Sequence, residues 1–151
     1  DEHGNTPLHA LCRNPSVSLS VLAVFVDTAP LAVPIVNASG SSALHLLAAN
    51  ESVRIGNRAG IISKLALVAP QCASAKDQVG STPVHGLCSN MSVTPDSLRA
   101  LIDVAPEAAL VVTMWDATPL HILCENSSVS VSLLSALAAS APMALTVCVV
   151  W

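Results

Sequence analysis

A four-residue box returns along this chain as Thr6-Pro7-Leu8-His9, Ser42-Ala43-Leu44-His45, Thr82-Pro83-Val84-His85 and Thr118-Pro119-Leu120-His121. Its histidines stand 36, 40 and 36 residues apart. A period of this size marks one supersecondary unit that cannot bury its apolar side alone, so neighbouring units must stack into a shared core. Other positions keep the phase. Asn14, Asn50, Asn90 and Asn126 follow each box histidine, and Ala-Pro pairs recur at Ala29-Pro30, Ala69-Pro70, Ala105-Pro106 and Ala141-Pro142. Only the second unit is longer, by residues around Arg54 to Gly60. The units run approximately 1–36, 37–76, 77–112 and 113–151, and together they make a single domain.

Each unit opens with Gly or Asp two positions before a Ser or Thr, which reads as a turn delivering an N-cap hydroxyl to the orphan amides of a first helical turn. Pro7, Pro83 and Pro119 follow, with the fixed φ suited to the first helical position. A short first helix therefore runs to Arg13, Ala49, Ser89 and Glu125, with the four asparagines as its stops. Second starts follow at Ser18, Thr94 and Ser130. Leu98, Leu101, Ile102 and Ala105 then fall on one helical face, and Leu22, Phe25 and Val26, or Leu134, Leu137 and Ala138, repeat that stripe. The Ala-Pro pair ends each second helix, because the residue before proline is pushed out of the α region. The expected fold is an all-α helical repeat solenoid of four helix-turn-helix units.

The Thr-Pro-Leu-His box between a turn and a short helix, followed by a second Leu-rich helix and a loop, resembles the ankyrin repeat. The box is intact in the first and fourth units, carries Val84 in the third and reads Ser42-Ala43 in the second. An ankyrin unit has about 33 residues and a Gly-rich link after its second helix. These units are longer and carry Ala-Pro-x-Ala there, with Cys72 for the last Ala, which predicts an extra helical turn in place of an ordinary β-hairpin finger. The resemblance implies a binding scaffold without catalytic residues, its partner docked on a concave face of first helices and loop tips. It also implies a structural role for His9, His45, His85 and His121, each imidazole tying neighbouring turns by hydrogen bonds.

His9 and Cys12, His85 and Cys88, and His121 and Cys124 stand three apart on one helical face. Zinc ligands must converge within about 2.3 Å of one point, whereas equivalent residues of stacked helices lie about 8 to 10 Å apart. Each unit supplies two ligands and no third, and Ala48 replaces the cysteine in the second unit. The thiols are therefore read as packing beside hydrogen-bonded imidazoles, with no metal and no cofactor. No unit supplies the base and orienting group of a nucleophilic pair, and Asp116 and Glu125 are read as caps or solvated ends, so no enzyme activity is expected. Asn50-Glu51-Ser52, Asn90-Met91-Ser92 and Asn126-Ser127-Ser128 match glycosylation acceptors but fall at helix ends, where they read as turn chemistry.

The expected function is a non-enzymatic interaction module for a protein partner. Arg54, Arg58 and the insert around Gly56 and Asn57 are candidate contacts, because an insertion in one unit maps to a loop on one side of the array. Trp115 is a candidate anchor, either exposed or packed against the next turn. Nucleic acid is excluded as a partner by a net charge of −4 and six scattered Lys and Arg residues. Charged residues make up 11% of the chain, against roughly 25% in a typical soluble domain. That deficit supports a second reading, a permanent subunit of a large complex that meets a membrane only through that complex. The uncharged stretch from Ser127 to Trp151 is long enough for a span, but it keeps the serines and Pro142 of the repeat phase. The chain opens at Asp1 inside a repeat, which reads as a fragment or a processed product, and its edges lack polar capping units. Five cysteines, three of them at one repeat position, point to reduced thiols in an intracellular setting.

Overall fold

The computed structural model describes residues 1–52 and 58–140. Arg54, Gly56, Asn57, the Ala141-Pro142 pair and Cys148 lie outside the described residues. The chain is all-helical there. Its elements are α1 (Pro7–Arg13), α2 (Leu19–Thr28), α3 (Ala43–Ala49), α4 (Arg58–Val68), α5 (Gln71–Ser74), α6 (Pro83–Ser89), α7 (Pro95–Ile102), α8 (Pro119–Glu125) and α9 (Val131–Ser140). Single 3₁₀ turns lie at Pro30–Ala32 and Pro106–Leu110, and the described residues contain no strand beyond the isolated bridge Val36–Ser42.

Four of these helices, α1, α3, α6 and α8, start at the boxes. The cap residues Thr6, Ser42, Thr82 and Thr118 are extended, and Pro7, Pro83 and Pro119 occupy the first turn, where a missing N–H costs nothing. The box histidine sits three residues inside, and its Nδ1 accepts the amide of the cap residue. That is the position a Glu or Gln fills in a capping box. At the other end Asn14, Asn50, Asn90 and Asn126 are the C-caps, all with extended backbone.

Second helices start as their caps predict. Ser18 Oγ accepts the amide of Val21 at 3.3 Å, Thr94 Oγ1 that of Ser97 at 3.2 Å and Ser130 Oγ that of Leu133 at 3.3 Å. On α7 and just after it, Leu98, Leu101, Ile102 and Ala105 are all buried, as are Leu22 and Val26 on α2, while Phe25 is half-buried. The stripe on α9 departs from expectation: Leu133, Ala136 and Leu137 are buried, whereas Leu134 and Ala138 are only half-buried. The reason is positional. Among the described residues α9 packs against α7 and α8 and has no further unit on its other flank.

Box helices touch in the order α1, α3, α6, α8, and second helices in the order α2, α4, α7, α9, so one apolar core runs through every pair. Leu44, Leu47, Ile62, Leu65, Leu87, Leu98 and Leu101 are fully buried in it. Each such side chain contributes about 1.5–3 kcal/mol over leaving it in water.

The link between units holds both an extra helical turn and a hairpin-like turn, where the former alone was expected. Proline at its first position starts a helical turn at Pro30–Ala32, next to Gln71–Ser74 and at Pro106–Leu110, and the small Cys72, Ala73, Ala108 and Ala109 bury against the core. A tight turn follows, closed by Asn37 N–H to Ser41 O at 3.0 Å, Asp77 N–H to Ser81 O at 2.9 Å and Thr113 N–H to Ala117 O at 3.0 Å. The helical turn therefore precedes the tight turn and does not replace it. Gly4, Gly40, Gly80 and Asp116 carry positive φ at the same place in each finger.

Candidate interaction face

The box imidazoles are joints between units. His9 Nδ1 lies 3.1 Å from the amide nitrogen of Thr6. An amide only donates, so Nδ1 is the bare acceptor and the ring proton sits on Nε2. Nε2 then donates to the carbonyl of Ser41 in the next finger, 3.0 Å away. His45 repeats this from the amide of Ser42 to the carbonyl of Ser81, with both distances 3.1 Å, and His85 from Thr82 to Ala117, at 3.0 and 3.2 Å. Burial pulls all three imidazoles below the ordinary histidine value, opposed by the carbonyl each one meets and, for His45 and His85, by the Asp77 carboxylate. They stay neutral at physiological pH.

A second set of joints runs the other way. Asn50 Nδ2 donates to the carbonyls of Cys12 and Asn14 at 2.8 and 3.3 Å, Asn90 Nδ2 to Ala48 at 2.9 Å, and Asn126 Nδ2 to Cys88 and Asn90 at 2.8 and 3.1 Å. These acceptors lie in the last turn or at the C-cap of the preceding unit's box helix, where carbonyls lack intrahelical partners. The same asparagines accept the amides of Ser52, Ser92 and Ser128 through Oδ1. The asparagines are thus the helix stops and turn formers that the sequence predicts and, in addition, bridges between units; the sequence does not show which carbonyl an amide will reach.

Fingers join as well. Ala38 N–H donates to His3 O at 2.9 Å, Gln78 N–H to Ser39 O at 3.0 Å and Met114 N–H to Val79 O at 2.9 Å. Within each finger one side-chain oxygen, on Asp1, Asn37, Asp77 or Thr113, accepts the amides two and four residues on.

The cysteines divide by position. Cys12, Cys72 and Cys88 are buried free thiols, and burial pushes the Cys12 thiol up to about 12 and the Cys88 thiol still higher. Cys124, on α8, is exposed. Among the described residues no three His, Cys, Asp or Glu side chains come together in a metal-binding group.

Of the expected contacts, Trp115 stands 67% exposed at the fourth fingertip beside Met114, also 67% exposed. Arg58 corrects the expectation of a surface contact. It is 1% exposed, with Nη2 donating to the carbonyl of Asn50 at 2.8 Å, so the guanidinium caps the end of α3 from within. Burial lowers its pKa, and Glu51 offsets part of that shift.

Between the fingers and the box helices lies an open groove. Its walls carry Ser41, Leu46, Ala49, Asp77, Ser81, Ser89 and Ile122. The position after each box histidine reads Ala10, Leu46, Gly86 and Ile122, and the one three further on reads Arg13, Ala49, Ser89 and Glu125. Compared with known proteins, the chain matches no protein-family model and no curated protein.

Proposed function

We propose that this chain is a non-enzymatic scaffold of ankyrin-like repeats that binds a protein partner along the groove between its fingers and box helices. The observation that carries this reading is a division of labour within the unit. Positions that join units repeat: His9, His45 and His85 each reach the next finger, and Asn50, Asn90 and Asn126 each reach back to the preceding box helix. Positions that face the groove differ from unit to unit, from Ala10 to Leu46, Gly86 and Ile122, and from Glu2-His3 to Met114-Trp115 at the tips. A surface that varies on a fixed frame suits recognition. Exposed Trp115 and Met114 have the character of an interface anchor.

The test is site-specific photo-crosslinking in cell extract, with the cross-linker placed at Ser89 or Trp115 and, as a comparison, at Ser132 on the outer side of α9. A discrete adduct from the groove positions and none from Ser132 supports the reading; adducts from Ser132 alone contradict it.

A second reading, a permanent subunit of a larger complex, draws on the outer helices. Val21 and Val24 on α2, Leu31 after it and Leu67 on α4 are exposed apolar residues on a chain with few charges. No helix among the described residues is long and apolar enough to cross a membrane. Light scattering separates the two readings, since a transient binder is monomeric alone and a subunit with uncovered apolar patches associates.

A further inference from the structure

The groove has a notch in its third unit. Gly86 stands on α6 where the other units carry Ala10, Leu46 and Ile122, and beside it opens a cavity of about 280 Å³. Neither backbone nor packing asks for glycine there. Gly86 is not among the positive-φ residues, and an added Cβ would meet Ala48 Cβ, Ala49 N and His45 O at 3.5, 3.5 and 3.6 Å, which is ordinary van der Waals contact. Glycine inside a helix costs about 1 kcal/mol relative to alanine. The third unit therefore carries a less stable helix and keeps a space.

The lining says what fits the space. Leu46, Ala49 and Ile122 give it apolar walls. Asp77 is its single acidic or basic side chain other than the imidazoles of His45 and His85, whose Nε2–H groups are already given to Ser81 and Ala117. Asp77 Oδ1 is held by the amides of Val79 and Ser81 at 3.0 and 2.8 Å, while its second oxygen makes no hydrogen bond among the described residues. Its neighbour Lys76 is exposed and does not line the cavity. An uncharged occupant would desolvate that carboxylate without return. A volume of about 280 Å³, at the lower end of the roughly 300–1,000 Å³ of ligand pockets, has room for one long side chain.

We propose that this notch takes a single Lys or Arg side chain of the partner, its alkyl stem against Leu46 and Ile122 and its cationic head on Asp77. Such side chains combine an apolar stem with a charged tip, which matches a greasy slot ending in one carboxylate. The site narrows the scaffold reading and rests on it for the source of the cation.

The experiment is a titration of the ¹⁵N-labelled 151-residue chain with butylguanidinium and butylammonium chloride, with butylurea as the neutral control, followed through backbone amide shifts. Two variants accompany it. Asp77→Asn removes the charge and keeps the turn, since Asn37 Oδ1 already holds the amides of Ser39 and Ser41 at 3.0 Å in the second finger. Gly86→Leu fills the notch with the side chain that Leu46 carries in the same register. The expected result is saturable shifts at Ser81, Gly86 and Ser89 with both cations and not with butylurea. Asp77→Asn should weaken them at least about tenfold, the loss that follows removal of the charged partner from a hydrogen bond, and Gly86→Leu should weaken them by occupying the space. Equal response to butylurea, no saturable shift at those amides, or unchanged binding in either variant overturns the proposal. Ion binding without groove cross-links would instead count against the scaffold reading and leave the notch standing.

Discussion

His45 Nε2 lies 3.1 Å from the carbonyl oxygen of Ser81, a residue in the following unit, while Nδ1 of the same ring accepts the amide of Ser42 at 3.1 Å. One imidazole thus caps its own helix and holds the next finger. Both jobs need the neutral ring, because a proton on Nδ1 would face an N–H donor.

Stability follows from this as pH falls. The folded values of His9, His45 and His85 lie below the ordinary 6.5, so the unfolded chain binds more protons just below that pH. Their contribution is fully present above about pH 6.5 and is lost as pH falls from there through the lower folded values. Urea midpoints measured from pH 7.5 to 5 should fall steadily through the lower part of that range. His85→Gln, which keeps a helix cap acceptor but cannot span to Ala117, should lower the midpoint at pH 7.5 and flatten the slope.

Asn90 should tolerate neither alanine nor aspartate. Its Nδ2 donates to Ala48 O and its Oδ1 accepts the amide of Ser92, at 1% exposure. Asn90→Ala leaves both partners unmatched, for a loss of about 1–3 kcal/mol. Asn90→Asp keeps the acceptor but turns a carboxylate toward a carbonyl, so it should cost more at pH 7 than the alanine variant. Thermal or urea unfolding reads the order directly.

Gly80 and Asp116 share a positive φ, 77° and 56°, yet only Gly80 has a following finger pressed onto it. A Cβ at Gly80 would lie 3.3 Å from Thr113 Cα and Val112 O. Gly80→Ala should therefore destabilise by roughly 1–2 kcal/mol from the left-handed backbone alone, with the close approach adding to it. Asp116→Gly should be neutral or mildly stabilising, with the comparison made by urea denaturation.

Thiol reactivity should separate the exposed cysteine of α8 from the buried ones. Cys124 is exposed, whereas burial raises the thiols of Cys12, Cys72 and Cys88. Iodoacetamide on the folded chain, mapped by peptide mass spectrometry, should label Cys124 early and the three buried residues only after urea is added.

Much of this was legible in the residues themselves. Thr6-Pro7 and Thr94-Pro95 announce helix starts because capping is local, and the stripe from Leu98 to Ala105 is buried as its spacing predicts. What could not be read depends on distant partners. The amide of Asn126 reaches Cys88, 38 residues back, and the chain shows only that an asparagine ends a helix. Arg58 is expected at the surface because an insertion in one unit maps to a loop, but the end of α3 supplies a carbonyl that holds it inside. Gly86 becomes visible only when the four units are laid over one another, and its meaning needed Asp77 brought beside it from another element.

The stacking of the units depends on the box imidazoles being joints and not reagents, and long-range ¹H–¹⁵N correlation of the histidine rings at pH 7 tests that most directly. His9, His45 and His85 should appear as single neutral tautomers with the proton on Nε2 and a bare Nδ1, as their amide and carbonyl partners require. Rings protonated on Nδ1, or averaging between tautomers, would contradict the joints and with them the scaffold reading built on them.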